Sequence, residues 1–164
     1  MMPEPITPKS LGPPLGMYSH GMVARAGDIV VVAGQVGIDA TGEVVGAGAE
    51  PQAKQALENV RVVLEAAGCS MRDVVRLQTF LVHAGHIPEF MKARQEVFPR
   101  YFPDGVYPPN TLLVVNRLVR PELVIEIEAM AVRPRHPRSA ARRRPSAKAA
   151  KRRRAGGRRG RTAR

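Results

Sequence analysis

Glu126 and Glu128 alternate with Ile125, Ile127 and Ala129, so in a strand both carboxylates share one face and the apolar residues share the other. Such a pair is either a solvated strand face or, where burial lifts a carboxyl out of its ordinary range, an acid or base. Arg94 offers a different chemistry. Phe90, Arg94, Val97, Phe98 and Tyr101 fall on one helical stripe, and a guanidinium there either snorkels at the helix edge or faces a cleft where it meets an anion. A third candidate is Asn110, which follows Pro108-Pro109. Those prolines fix the chain's entry and donate no ladder hydrogen bond, so the strand begins at Asn110 or Thr111, and a neutral amide stands at a strand mouth facing a pocket.

The remaining reactive residue types do not combine. His83 and His86 have no third His, Cys or carboxylate nearby to complete a metal site, and Ser19-His20 are neighbours without the elbow motif of a serine nucleophile. No metal and no cofactor are expected. Cys69 is the single cysteine, which rules out an intramolecular disulfide, and its place after Gly68 suits a small turn residue.

The elements that must hold these groups follow from periodicity. Residues 21–26 and 29–33 read as two strands joined at Gly27-Asp28, a tight hairpin signal, and Asp39-Ala40-Thr41-Gly42 marks a further turn before a short return over 43–45. From Pro51 the period changes: Ala53, Ala56, Leu57, Val60, Val63, Leu64 and Ala67 form one helical stripe, with Gly68 just past its end. A strand over 74–82, a helix from Pro88 to about 102 that Pro99 kinks or shortens, and strands over 111–115 and 123–132 complete the order. This is an α+β arrangement of one sheet with two helices. Two helices cover one sheet face, and because residues 30–32 and 112–115 are apolar at consecutive positions, the other face also needs covering. Self-association would supply that layer.

Charge is divided along the chain. Residues 133–164 hold 15 of the 26 Lys and Arg and no Asp or Glu, so the remaining 11 basic residues stand against all 14 acidic ones, a net of −3. The overall +12 therefore describes an appendage and not the folded part. Residues 1–15, with five prolines, read as an extended arm, residues 16–132 as the folded domain, and residues 133–164 as a disordered basic tail too polar to bury a core. No signal-peptide run opens the chain and no window approaches the ~20 apolar residues of a membrane span, so a cytoplasmic setting without membrane contact is expected.

Several stretches together resemble the Rid family, the reactive intermediate deaminases also called the YjgF family. They are Tyr18-Ser19-His20-Gly21, Val31-Val32-Ala33-Gly34-Gln35, Thr41-Gly42-Glu43, Gln52 with Ala56-Leu57-Glu58-Asn59-Val60, Leu64-Glu65-Ala66-Ala67-Gly68, Asp73-Val74-Val75, and Ile125 to Ala131. The resemblance runs in order from about Pro13 to Val132. It implies a chorismate-mutase-like fold, a homotrimer with small-molecule clefts between subunits, and hydrolysis of enamines and imines to a keto acid and ammonia. Residue by residue it implies Tyr18 as the cleft tyrosine, Gly34 as a pocket-lining glycine and Glu126 as the group that positions or activates water. Where deaminating members have Pro-Ala-Arg-Ser, this chain has Pro108-Pro109-Asn110-Thr111, and the arginine that grips a substrate carboxylate is missing. Arg94 stands where many of them carry an asparagine, as if the two residue types were exchanged between two walls of the cleft. Two readings therefore stay open: Arg94 re-supplies the anion contact in an imine hydrolase, or Asn110 marks a trimer that binds a metabolite without turning it over.

Fifteen cations without aromatic partners fit non-specific nucleic-acid binding by the tail, with strong salt dependence and no base stacking. Truncation after Val132 should leave folding and small-molecule activity intact while abolishing retention of DNA or RNA in a gel shift. Equal binding by the truncated chain would contradict this.

Overall fold

The computed structural model describes residues 2–134. Strand β1 (Glu4–Ile6) pairs antiparallel with β2 (Gly21–Val23) as a small separate ribbon. The main sheet holds β3 (Gly27–Val36), β4 (Val74–Leu81), β5 (Asn110–Val114) and β6 (Ile125–Pro134) in the order β3-β6-β4-β5. Its β4–β5 pair is parallel and the others are antiparallel. Helices α1 (Ala49–Ala66) and α2 (Ile87–Tyr101) pack on that sheet, giving the expected α+β class with two helices.

Alternation sorts the strand residues. Val32, Val74, Leu77, Leu81, Ile125, Ile127, Ala129 and Ala131 are buried under the helices, where they meet Ala53, Ala56, Leu57, Val60 and Leu64 of α1 and Phe90, Ala93, Val97 and Phe98 of α2. The intervening residues face the other way. There Ile29 and Val31 are 69% and 70% exposed, and Leu113 is also exposed. The open face is therefore apolar over part of its width.

The hairpin expected at Gly27-Asp28 does not form. β2 pairs with β1, so residues 4–6 of the extended arm form a strand, and β3 finds its partner in β6, with Gly27 opposite Pro134. Gly27 is small for a different reason than a turn: a Cβ there would lie 2.4 Å from the Arg133 carbonyl oxygen. β6 also runs two residues beyond the expected end, and Arg133 donates to Asp28 (2.9 Å) and to the Ala67 carbonyl (3.1 Å). The disorder expected of the tail concerns residues that, from 135 onward, lie outside the described ones. Pro99 does not end α2, which continues to Tyr101.

Both ends of α1 are closed by specific contacts. Its N-cap, Gly48, has no side chain to offer, and the Glu89 carboxylate of α2 instead accepts the amides of Ala49 (2.6 Å) and Glu50 (3.3 Å). At the other end Gly68 takes φ 73°, its amide bonding the Glu65 carbonyl (2.9 Å) and that of Cys69 the Leu64 carbonyl (2.8 Å). This pair is a Schellman closure, and it needs the left-handed residue that glycine supplies.

One buried amide joins α1 to the strand that carries the carboxylates. Gln52 is fully buried; its Nε2 donates to the carbonyls of Gly46 (2.7 Å) and Glu122 (2.9 Å), and its Oε1 accepts from the Val124 amide (2.9 Å). Gly37 makes room for it, since a Cβ there would lie 2.4 Å from that of Gln52. Gln52→Leu keeps the volume and strands three backbone groups, so it should lower stability by on the order of 3 kcal/mol. A urea unfolding curve checks this, and an unshifted midpoint would contradict it.

Candidate functional site

Glu126 opens β6 on the uncovered face, opposite Val36 of β3 and Phe80 of β4. The β3–β6 register shifts between Val32 and Gln35, and this irregularity sets Gly34 directly against the carboxylate. A Cβ on Gly34 would lie 1.6 Å from Glu126 Oε1, so any other residue there would displace the carboxyl. Burial, with the nearby charge of Glu128 adding to it, pushes the Glu126 carboxyl above the usual glutamate range. Of the two readings of this carboxylate pair, partial burial at a backbone contact is the one found for Glu126. Glu128 is exposed and edges an open depression of about 210 Å³ together with Val31, Ala33, Arg76, Gln78 and Met130.

The ends of β3 and β6 are held by amides from α1. Asn59 donates through Nδ2 to the carbonyls of Val36 (3.1 Å) and Ile38 (2.9 Å) while its Oδ1 accepts from Gln55 (2.9 Å), and Gln52 fixes Val124 two residues before Glu126. The positions of Gly34 and Glu126 thus depend on two side chains of a helix on the far side of the sheet. Neither was singled out from residue chemistry. A signal existed, because Gln52 sits on the apolar stripe of α1, where an unpaired amide could not stay.

Tyr18 lies in a different setting. It is partly buried, its hydroxyl accepts the Leu15 amide (3.3 Å), and its ring meets His20 edge-on at 6.3 Å. On one side of it the Met17 carbonyl accepts from Arg94 Nη2; on the other, Ser19 Oγ donates to the Tyr107 carbonyl at 2.6 Å. Arg94 itself is 2% exposed, its guanidinium 4.5 Å from the Phe98 ring centre and 5.4 Å from that of Phe90. Nη1 has only the Met91 sulfur at 3.9 Å, and Nε has no hydrogen-bond partner among the described residues. Desolvation pulls the guanidinium down to about 10, which still leaves it cationic at neutral pH. The head therefore neither snorkels to water nor lies open to a cleft in the single chain.

Asn110 does begin β5, as the prolines required. Its Oδ1 accepts from the buried Thr79 hydroxyl at 3.1 Å, so the amide's carbonyl is engaged with the adjacent strand β4. The chain thus brings Gly34 and Glu126 into contact and puts Arg94 on the residue next to Tyr18, while Asn110 is bonded to Thr79 at the start of β5. Among the described residues no group of three or more His, Cys, Asp or Glu gathers as a metal cluster, and no helix is long and apolar enough to cross a membrane. His83 Nδ1 accepts the Gly85 amide (3.0 Å), a turn contact.

Comparison with known proteins agrees with this geometry. Residues 9–133 match the family described as Endoribonuclease L-PSP. A RutC family protein of Pyrococcus horikoshii is 37% identical over 131 residues, covering 79% of this chain and 98% of the relative. The 2-iminobutanoate/2-iminopropanoate deaminase of Salmonella typhimurium is 30% identical over 119 residues, covering 73% and 89%. The crystal structure of YyfB from Yersinia pestis, a protein of the conserved Rid family, superposes with a TM-score of 0.71 at 34% identity, over 81% of this chain and 100% of that one. With the motifs, the sheet order and the Gly34–Glu126 contact all in place, the chain belongs to the Rid, or YjgF, family.

Proposed function

We propose that this protein hydrolyses an imine or enamine C–N bond in a small metabolite, as a trimer in which neighbouring copies cover the open sheet face and complete a cleft over Glu126. The observation that carries the reading is the Glu126 carboxyl: half-buried, raised by burial, and set against the bare backbone of Gly34. A carboxylate with a raised pKa is a better base than one in water and accepts a proton from an attacking water molecule. The oxygen of that water bonds the imine carbon and its first proton passes through Glu126 to nitrogen, giving a carbinolamine; the hydroxyl proton then passes by the same carboxylate to the amine as the C=O bond forms and the C–N bond breaks. Imine and water become a carbonyl compound and ammonia. Tyr18 contributes its hydroxyl to this cleft, Gly34 admits the Glu126 carboxylate against its bare backbone, and no cofactor takes part. The name of the Salmonella relative supports the same reaction class.

Substrate choice rests on Arg94 and Asn110. An amide at position 110 offers no charge to a carboxylate, and losing one side of a buried charge pair costs about 2 to 5 kcal/mol. Unless Arg94 supplies that charge from behind Met17, 2-imino acids should bind weakly. Asn110 also favours a second reading, a trimer that holds a metabolite without converting it and whose basic tail binds nucleic acid.

Ammonia release from freshly generated 2-iminopropanoate separates the two. Wild type should turn it over slowly, Asn110→Arg should raise kcat/KM at least about tenfold, equivalent to ~1.4 kcal/mol, and Glu126→Gln should abolish turnover. No turnover by wild type or by Asn110→Arg would leave the binding reading. A second readout needs no substrate. Because the folded value of Glu126 lies above its ordinary 4.5, the folded state keeps a proton that the unfolded state has released, and this group's contribution to stability falls as pH rises through that window. Melting curves of Glu126→Gln should therefore gain on wild type as pH rises above 4.5.

A further inference from the structure

A buried cation normally stays in a protein because a carboxylate meets it. Arg94 has none: at 2% exposure its polar contacts are the Met17 carbonyl through Nη2 and the Met91 sulfur through Nη1, and the rings of Phe90 and Phe98 lie against the guanidinium. The Met17 carbonyl is thus its one strong acceptor among the described residues. Met17 is the centre of a tight turn, since the Tyr18 amide bonds the Gly16 carbonyl at 2.9 Å. The next residue, Ser19, is tied to the Tyr107 carbonyl, and Tyr107 in turn packs on Phe98, the ring on which Arg94 rests (centroids 5.7 Å). Tyr18 is therefore flanked by two anchors that meet on the same face of α2.

We propose that Arg94 is a positioning residue for Tyr18: by holding the Met17 carbonyl it fixes the Gly16–Tyr18 turn and so sets the height and direction of the tyrosine in the cleft. The arrangement explains why an arginine replaces a shorter side chain on an otherwise apolar stripe. Only a long head can pass between Phe90 and Phe98 and reach the backbone of the N-terminal segment, and the stacked rings hold its plane. It also separates Arg94 from an ordinary surface arginine, whose loss would leave the turn untouched.

The catalytic consequence rests on the proposed imine hydrolysis; the structural one does not. Amide hydrogen exchange of the full chain, read at Tyr18, tests the latter directly. Arg94→Met should speed exchange at the Tyr18 amide by about tenfold or more while amides of α1 and β6 keep wild-type rates, and Arg94→Lys, which keeps charge and one donor, should restore most of the protection. Should Arg94→Met loosen the whole fold, Arg94→Gln provides the same comparison with a smaller change. Wild-type exchange at Tyr18 in Arg94→Met or Arg94→Gln, with the fold intact, would overturn the proposal. On 2-iminopropanoate, Arg94→Met should lower kcat more than it raises KM, with partial rescue by Arg94→Lys; a pure KM effect would instead make Arg94 a substrate contact and overturn the positioning role. Faster Tyr18 exchange together with no imine turnover by wild type would uphold the positioning and refute only the reaction.

Discussion

The two helices lie together on one face of a four-stranded sheet, and the other face keeps its apolar residues in water. Ile29 and Val31 leave about two-thirds of their surface exposed on β3, next to the depression edged by Glu128 and Met130. Covering one such side chain contributes about 1.5 to 3 kcal/mol, so a second copy that occludes several of them from each chain gains enough to offset much of the entropy lost on association. Glu126 belongs to this face. Val31 and Glu126 stand on the paired strands β3 and β6, so in the proposed trimer assembly and chemistry would share one surface.

That sharing places demands on precision, and polar groups far from the face meet them. Gln52 and Asn59 reach from α1 to the backbone at 122–124 and 36–38, the two segments that bracket the Gly34–Glu126 contact. Glu89 ties α2 to the start of α1 by capping it, with Gly48 small enough to admit the carboxylate. Hydrophobic packing alone would allow these elements to slide. Directional bonds to buried backbone groups do not, since each slip would leave a donor or acceptor unsatisfied. Buried amides thus tie the backbone on either side of Glu126, whereas a turn and two side-chain contacts hold the segment of Tyr18.

Local pattern reveals some of this and hides the rest. The stripe from Ala53 to Ala67, the glycine at 68 and the alternation around Ile125 carry the helix, its end and the last strand, because each is governed by neighbours in sequence. The Gly27-Asp28 pair misleads because the preference of a glycine for turns is visible locally, whereas its close approach to Arg133 depends on a strand about a hundred residues away. Strand β1 has no signature for a related reason: its three residues are all exposed and offer no apolar period. At the site, family motifs pointed to Gly34 and Glu126, and the fold adds what no spacing could, namely that the two touch. Arg94 on its apolar stripe was visible, but its acceptor at Met17 was not, because a backbone carbonyl has no signature in sequence.

Sedimentation equilibrium of the full chain at micromolar concentration bears most directly on the claim that copies of the chain cover the open face and build the cleft there. A mass three times the 17.9 kDa of one chain, falling toward the monomer when Val31 is replaced by lysine, is the result expected. A well-behaved monomer at those concentrations would contradict it, leaving the apolar face of β3 and the Glu126 carboxyl without the neighbour on which the proposed cleft depends.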